Sequence, residues 1–132
     1  MSILKQKSVF NSDAADLLQN KNLFAPSVHC SYYSCLQLLK VVICKFIGLS
    51  YEDIDKEINN GDSHRYLISK VADTIYLNSK PEHTKFSRNI KDLKKFRIDS
   101  DYNDIEITSD KSQNAIKIAK EIREQLTTLF KV

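Results

Sequence analysis

The segment from Val28 to Leu49 restricts the fold more than any other part of the chain. At about 100° per residue, Val28, Tyr32, Cys35, Leu39, Val42 and Phe46 fall in one narrow stripe, and Leu36, Ile43 and Ile47 widen it on one side. This pattern predicts a long helix over Ser27 to Ile47, entered behind Pro26 and stopped by Gly48. A helix so apolar belongs at the centre of a helical domain. His29, Gln37, Lys40 and Lys45 interrupt it, which is costly in a membrane span and cheap in a buried helix whose lysines extend to solvent. No membrane partner is expected.

What surrounds this helix is constrained by what the chain lacks. Two Gly and two Pro in 132 residues are too few for the corners of a sandwich or barrel. With 42% hydrophobic and 28% charged residues, the chain reads as one globular domain over 1–132 that needs no disulfides. Cys30, Cys35 and Cys44 all lie in the apolar segment, and an odd count without CxxC spacing predicts buried thiols in a reducing compartment. The lysines before Phe10 have no apolar run behind them, so no signal peptide is expected, and the predicted location is cytoplasmic.

Further helices follow from periodicity and capping residues. One is predicted over Ser8 to Asn22 with Phe10, Ala14, Leu17 and Leu18 facing in. Ser50 with Asp53 starts a short, exposed helix over Tyr51 to Ile58, ended by a turn at Asn59, Asn60 and Gly61. Asp62 or Ser63 caps another to about Leu77, turning Leu67, Ile68, Val71 and Ile75 inward. Pro81 opens one that runs to about Arg97 with Phe86, Ile90 and Leu93 on its stripe. The last starts at Thr108, Ser109 and Asp110, with Ala115, Ile118, Ala119, Ile122, Leu126 and Leu129 inward and outward pairs Lys117–Glu121 and Lys120–Glu124. The fold class is all-α, an antiparallel bundle of about five helices.

Net charge is +3, too small to demand a nucleic acid or a membrane. Its distribution is uneven. Lys80 to Arg97 is basic and Asp99 to Asp110 is acidic, and Arg88, Lys91 and Lys95 make an exposed stripe that could follow phosphates or could simply be solvated.

Arg97 is the most informative polar residue, because its helix projects it onto the apolar stripe, where a guanidinium requires a partner. Asp101 stands four residues on, either along the same helix or folded back after a break near Asp99 and Ser100, and Tyr102 brings a hydroxyl. A structural ion pair is the leading reading. His29 at the edge of the apolar stripe and His64 in a first helical turn could both face the interior, His64 held neutral by the helix dipole. His29, His64 and His83 lack metal-ligand spacing, and no glycine-rich phosphate loop is present, so neither a metal nor another cofactor is expected.

The run SVHCSYYSCLQLL from Ser27 to Leu39, with Tyr32 and Tyr33 adjacent, and LKKFRIDSDY from Leu93 to Tyr102 resemble the tyrosine-pair helix and the Leu, Arg, Asp-Tyr signature of the HEPN domain family. The resemblance covers nearly the whole chain. It implies a helical bundle, often a homodimer, in proteins tied to RNA cleavage, toxin–antitoxin pairs, phage defence or nucleotide-related partners. Catalytic members carry a His shortly after the Arg; here Tyr102, Asn103 and Asp104 occupy the positions where that His would stand. The expectation is therefore a non-catalytic, self-associating binding module, with RNA or a nucleotidyltransferase-type antitoxin as partner. Its binding residues would be Tyr32, Tyr33, Arg97, Asp101, Arg88, Lys91 and Lys95. The alternatives are a metal-independent ribonuclease using Arg97 and Tyr102 with His64 or His29, and a nucleotide-binding protein stacking a base on Tyr32 or Tyr33.

Overall fold

A computed structural model describes residues 2–59 and 61–132, so Asn60 of the expected turn lies outside the described residues. All regular structure among them is helical: α1 (Ile3–Asn20), α2 (Phe24–Val42) with a π-helical continuation (Ile43–Ile47), α3 (Tyr51–Ile58), α4 (Ser63–Asn78), α5 (Lys80–Tyr102) and α6 (Ser109–Phe130). The number is six α-helices rather than about five. The short α3, expected to be exposed, is so at most of its polar positions but buries Ile54 completely.

Side-chain oxygens cap most helices. Ser2, Ser50, Asp62, Ser79 and Thr108 each accept a hydrogen bond from the backbone N–H three residues on. α2 is the exception. It starts at Phe24, before Pro26 rather than after it, because a proline in the first helical turn lacks only an N–H that would have no partner there. Gly48, at φ 90°, closes the π-helical turn in the left-handed region that a side chain would strain.

α2 is the centre of the molecule, packed against α1, α4, α5 and α6. Val28, Tyr32, Cys35, Leu39, Val41 and Val42 have no solvent exposure, and each fully buried aliphatic among them contributes roughly 1.5–3 kcal/mol. On length and composition Phe24–Ile47 could cross a membrane, but more than half of it is buried within the protein, as in a core helix. Phe46, expected on the inward stripe, is instead half exposed against Phe130, because the wider π turn rotates each residue less than the α-helix does and carries the stripe off line. Cys35 is sealed between α2 and α6, with Sγ 3.5 Å from the Ala119 carbonyl, and burial pushes its thiol pKa up to about 12.

α1 departs from expectation at both its start and its face. It begins five residues before Ser8, and Phe10 and Leu17 point to solvent while Ser8 and Ala15 are buried. Small residues allow α1 and α2 to approach closely, and their hydroxyls find backbone acceptors: Ser8 Oγ donates to the Ser34 carbonyl at 2.6 Å and Ser27 Oγ to that of Ala15 at 2.8 Å. In α6, Ala115, Ala119, Ile122 and Leu126 face in as predicted. The expected outward pairs do not form: Lys120 crosses to Asp16 of α1 at 3.1 Å, and Glu121 accepts from Asn89 of α5.

Candidate functional site

Three helices deliver their polar residues to one end of the molecule. α2 supplies His29, Tyr32 and Tyr33 from about one turn, α4 supplies His64 from its first turn, and α5 supplies Arg97, Asp101 and Tyr102 from its last turns. α5 runs past the predicted end near Arg97 to Tyr102, so of the two arrangements open from the sequence the continuous helix holds, with Arg97 and Asp101 one turn apart on it.

Arg97 is 9% exposed and anchors the cluster. Its Nε donates to Asp101 Oδ2 at 3.0 Å, and its Nη2 donates to the hydroxyls of Tyr33 at 3.2 Å and Tyr102 at 3.1 Å. The guanidinium carbon lies 5.4, 5.7 and 5.0 Å from the ring centres of Tyr32, Tyr33 and Tyr102, within range for cation–π attraction. Burial disfavours the charge, but Tyr33, Tyr102 and Asp101 together hold the Arg97 pKa above its ordinary value.

Asp101 also binds His29, whose Nδ1 lies 3.0 Å from Oδ2, while the imidazole stacks on Tyr33 with ring centres 4.5 Å apart. The Nδ1 tautomer that donates to Asp101 leaves Nε2 as the other nitrogen of a half-exposed ring. His64 Nδ1 is 3.2 Å from the hydroxyl of the fully buried Tyr32, and its ring lies edge-on to Tyr33. Burial first, and the nearby Arg97 charge second, lower the His64 pKa below its ordinary value, so the ring is neutral at pH 7. Burial likewise raises the pKa of the Tyr32 phenol.

The cluster opens on a cleft of about 770 Å³ lined by Tyr33, Asp62, Ser63, His64, Lys94, Arg97, Ile98 and Tyr102. Lys94 is also a wall of a smaller cleft of about 220 Å³ between α4 and α5, which includes Arg65 and Lys91. Among the described residues, none of Arg65, Lys91 and Lys94 has a carboxylate within ion-pair distance. The structure thus brings Tyr32, Tyr33, Tyr102, His29, His64, Arg97 and Asp101 together. It separates the predicted basic stripe: Lys91 lines the smaller cleft, whereas exposed Arg88 and Lys95 line neither. Lys94 and Arg65 were missed by the sequence reading, although Lys94, three residues from both Lys91 and Arg97, has the helical spacing that joins them. His83 packs on Tyr76, away from the cluster. Among the described residues, no group of three His, Cys, Asp or Glu side chains is placed to hold a metal ion.

No family model, curated protein or solved structure matches this chain.

Proposed function

We propose that the chain is an HEPN-like antiparallel bundle that binds single-stranded RNA along α4 and α5 without cleaving it. One observation carries this reading: Lys94 belongs to both clefts, so the cations of Arg65, Lys91 and Lys94 lead without interruption to Tyr33, Arg97 and Tyr102. Lysines and arginines without internal partners can neutralise successive phosphates and release their counterions. Tyr102 is 71% exposed, with Arg97 against one ring face and the other free to take a base. Arg97 is better suited to positioning than to chemistry, because Asp101 already balances its charge and both tyrosines fix its orientation. With the resemblance come self-association and a place in a toxin–antitoxin, defence or other RNA-directed system.

A second reading, a metal-independent ribonuclease, is favoured by His29 and His64 both packing on Tyr33, with ring centres 4.5 and 5.6 Å away, beside Arg97. One experiment separates the two. Labelled single-stranded RNA is titrated with the protein at several salt concentrations and then examined for breakage. Binding should weaken with salt, and the Lys91→Ala/Lys94→Ala variant should lower the slope of log affinity against log salt by about 1 to 2. Tyr102→Ala should cost about 1–3 kcal/mol of affinity. An unchanged slope would remove the RNA-binding reading, and cleavage lost in both Arg97→Ala and His64→Ala would establish the ribonuclease.

A further inference from the structure

Tyr33 and His64 wall two spaces. One is the cationic cleft of about 770 Å³, and the other is a pocket of about 300 Å³ framed mainly by α2, α3 and α4. Leu36, Ile58 and Leu67 line this pocket with carbon, Leu36 and Leu67 being buried themselves. Apart from the shared wall, its polar groups come from Gln37 and Lys40, one turn apart on α2, and from Asp55 on α3. Apolar walls with a few convergent polar groups are the usual make-up of a small-molecule site, for which about 300 Å³ is the lower end of the usual range. Phosphate contacts carry no sequence information, so a strand that follows Arg65, Lys91 and Lys94 is read only where a base meets a shaped surface.

We propose that this pocket takes one unstacked base of the bound strand and selects guanine. The inference rests on the RNA reading above and adds base recognition to it. Continuity is the first support: because Tyr33 and His64 belong to both spaces, a base whose phosphate lies in the cleft has only this shared wall to pass. A flat heterocycle suits the aromatic and apolar walls. The donor and acceptor set is the second. Lys40 Nζ donates to Asp55 Oδ1 at 3.2 Å, which leaves Oδ2 and the remaining lone pairs of the carboxylate as acceptors. Gln37 Oε1 already accepts from the Asn11 amide at 2.8 Å, while among the described residues Gln37 Nε2 donates to nothing. The pocket thus sets a carboxylate beside N–H donors. Guanine fits this set along one edge: its N1–H and N2–H donate side by side, as a carboxylate accepts them, and O6 accepts from an ammonium or an amide. Adenine and cytosine put an acceptor ring nitrogen where that N1–H would be, facing the carboxylate, and uracil offers one N–H between two carbonyls.

The test is fluorescence anisotropy of the full chain with three labelled strands at one salt concentration: oligouridine, the same strand with one guanosine, and the same strand with one adenosine in that place. The guanosine strand should bind roughly 5- to 100-fold tighter than the other two. Asp55→Asn should abolish this ratio, with unchanged melting because Asp55 is exposed. Lys91→Ala/Lys94→Ala should weaken all three strands alike and preserve the ratio. With 6-thioguanosine in place of the guanosine, near-ultraviolet light should cross-link the strand to α3, which lines neither of the other two clefts. Equal affinities for the three strands would overturn the base pocket and leave the RNA reading standing. A guanosine preference that persists in Asp55→Asn, or a preference for adenosine, would overturn the assignment of the edge-reading groups. Failure to bind any strand would overturn the RNA reading and the pocket with it.

Discussion

Arg97 keeps its charge in surroundings that penalise it, and only the groups at its edges make that tolerable. Replacing it with alanine leaves Asp101 without its strongest partner and empties the space among three tyrosine rings, so Arg97→Ala should lower stability by roughly 3–5 kcal/mol in urea unfolding. Asp101→Asn should cost less, because the amide still accepts from Arg97 Nε. An unchanged midpoint for Arg97→Ala would show that the residue is held for binding alone. His64 gives the pH dependence. Its pKa is below the ordinary 6.5 in the fold, so the unfolded chain binds the proton more readily. The stability this provides is complete above pH 6.5 and is lost as pH falls through the lower, folded value. His64→Gln should flatten that part of the stability profile. In RNA titrations the wild type should gain more affinity than His64→Gln between neutral and mildly acid pH, as a cation joins Arg97 and Lys94 near Asp62. Arg97 and Asp101 were legible as a pair because helical projection places an arginine on an apolar stripe. His29 as the second partner of Asp101 was not, since it comes from another helix 72 residues away and no local period links them.

At the scale of elements, the stripe that periodicity draws through α2 is buried apart from its last turn, but so is a second face that it leaves out, with Ser27, Ser31, Ser34, Leu38 and Val41. Leu39→Ala removes a side chain with no exposure from that stripe and should cost about 2–5 kcal/mol in chemical denaturation; a loss below about 1 kcal/mol would put the core elsewhere. The helix starts at Tyr51, Ser63 and Ser109 were legible because each follows a residue whose oxygen can satisfy free N–H groups. The face of α1 was not legible. Counting apolar residues turns Phe10 and Leu17 inward, whereas the actual inner face is set by how closely α1 and α2 approach, which selects serine and alanine there. The length of α5 was not fixed by the sequence, because Asp101 can meet Arg97 either from a continued helix or from a folded-back turn; the pair at i, i+4 spacing belongs to the continued helix.

The whole molecule separates its surfaces. Cations and open tyrosine rings share the α4–α5 side, and the exposed Phe10 and Leu17 of α1 line neither cleft there. Charge substitutions at these two positions should therefore leave RNA binding intact. Purified protein, even in excess, should leave single-stranded and structured RNA unbroken at neutral pH, as gel electrophoresis of labelled strands would show. Cys35, shut between α2 and α6, offers a clock for the fold itself. An alkylating reagent reaches that thiolate only when the two helices part, whereas the half-buried Cys30 and Cys44 need smaller fluctuations. The slowest of three labelling rates, followed by intact mass, would then time the rare separation of the core helices in unperturbed protein, without denaturant or an added probe.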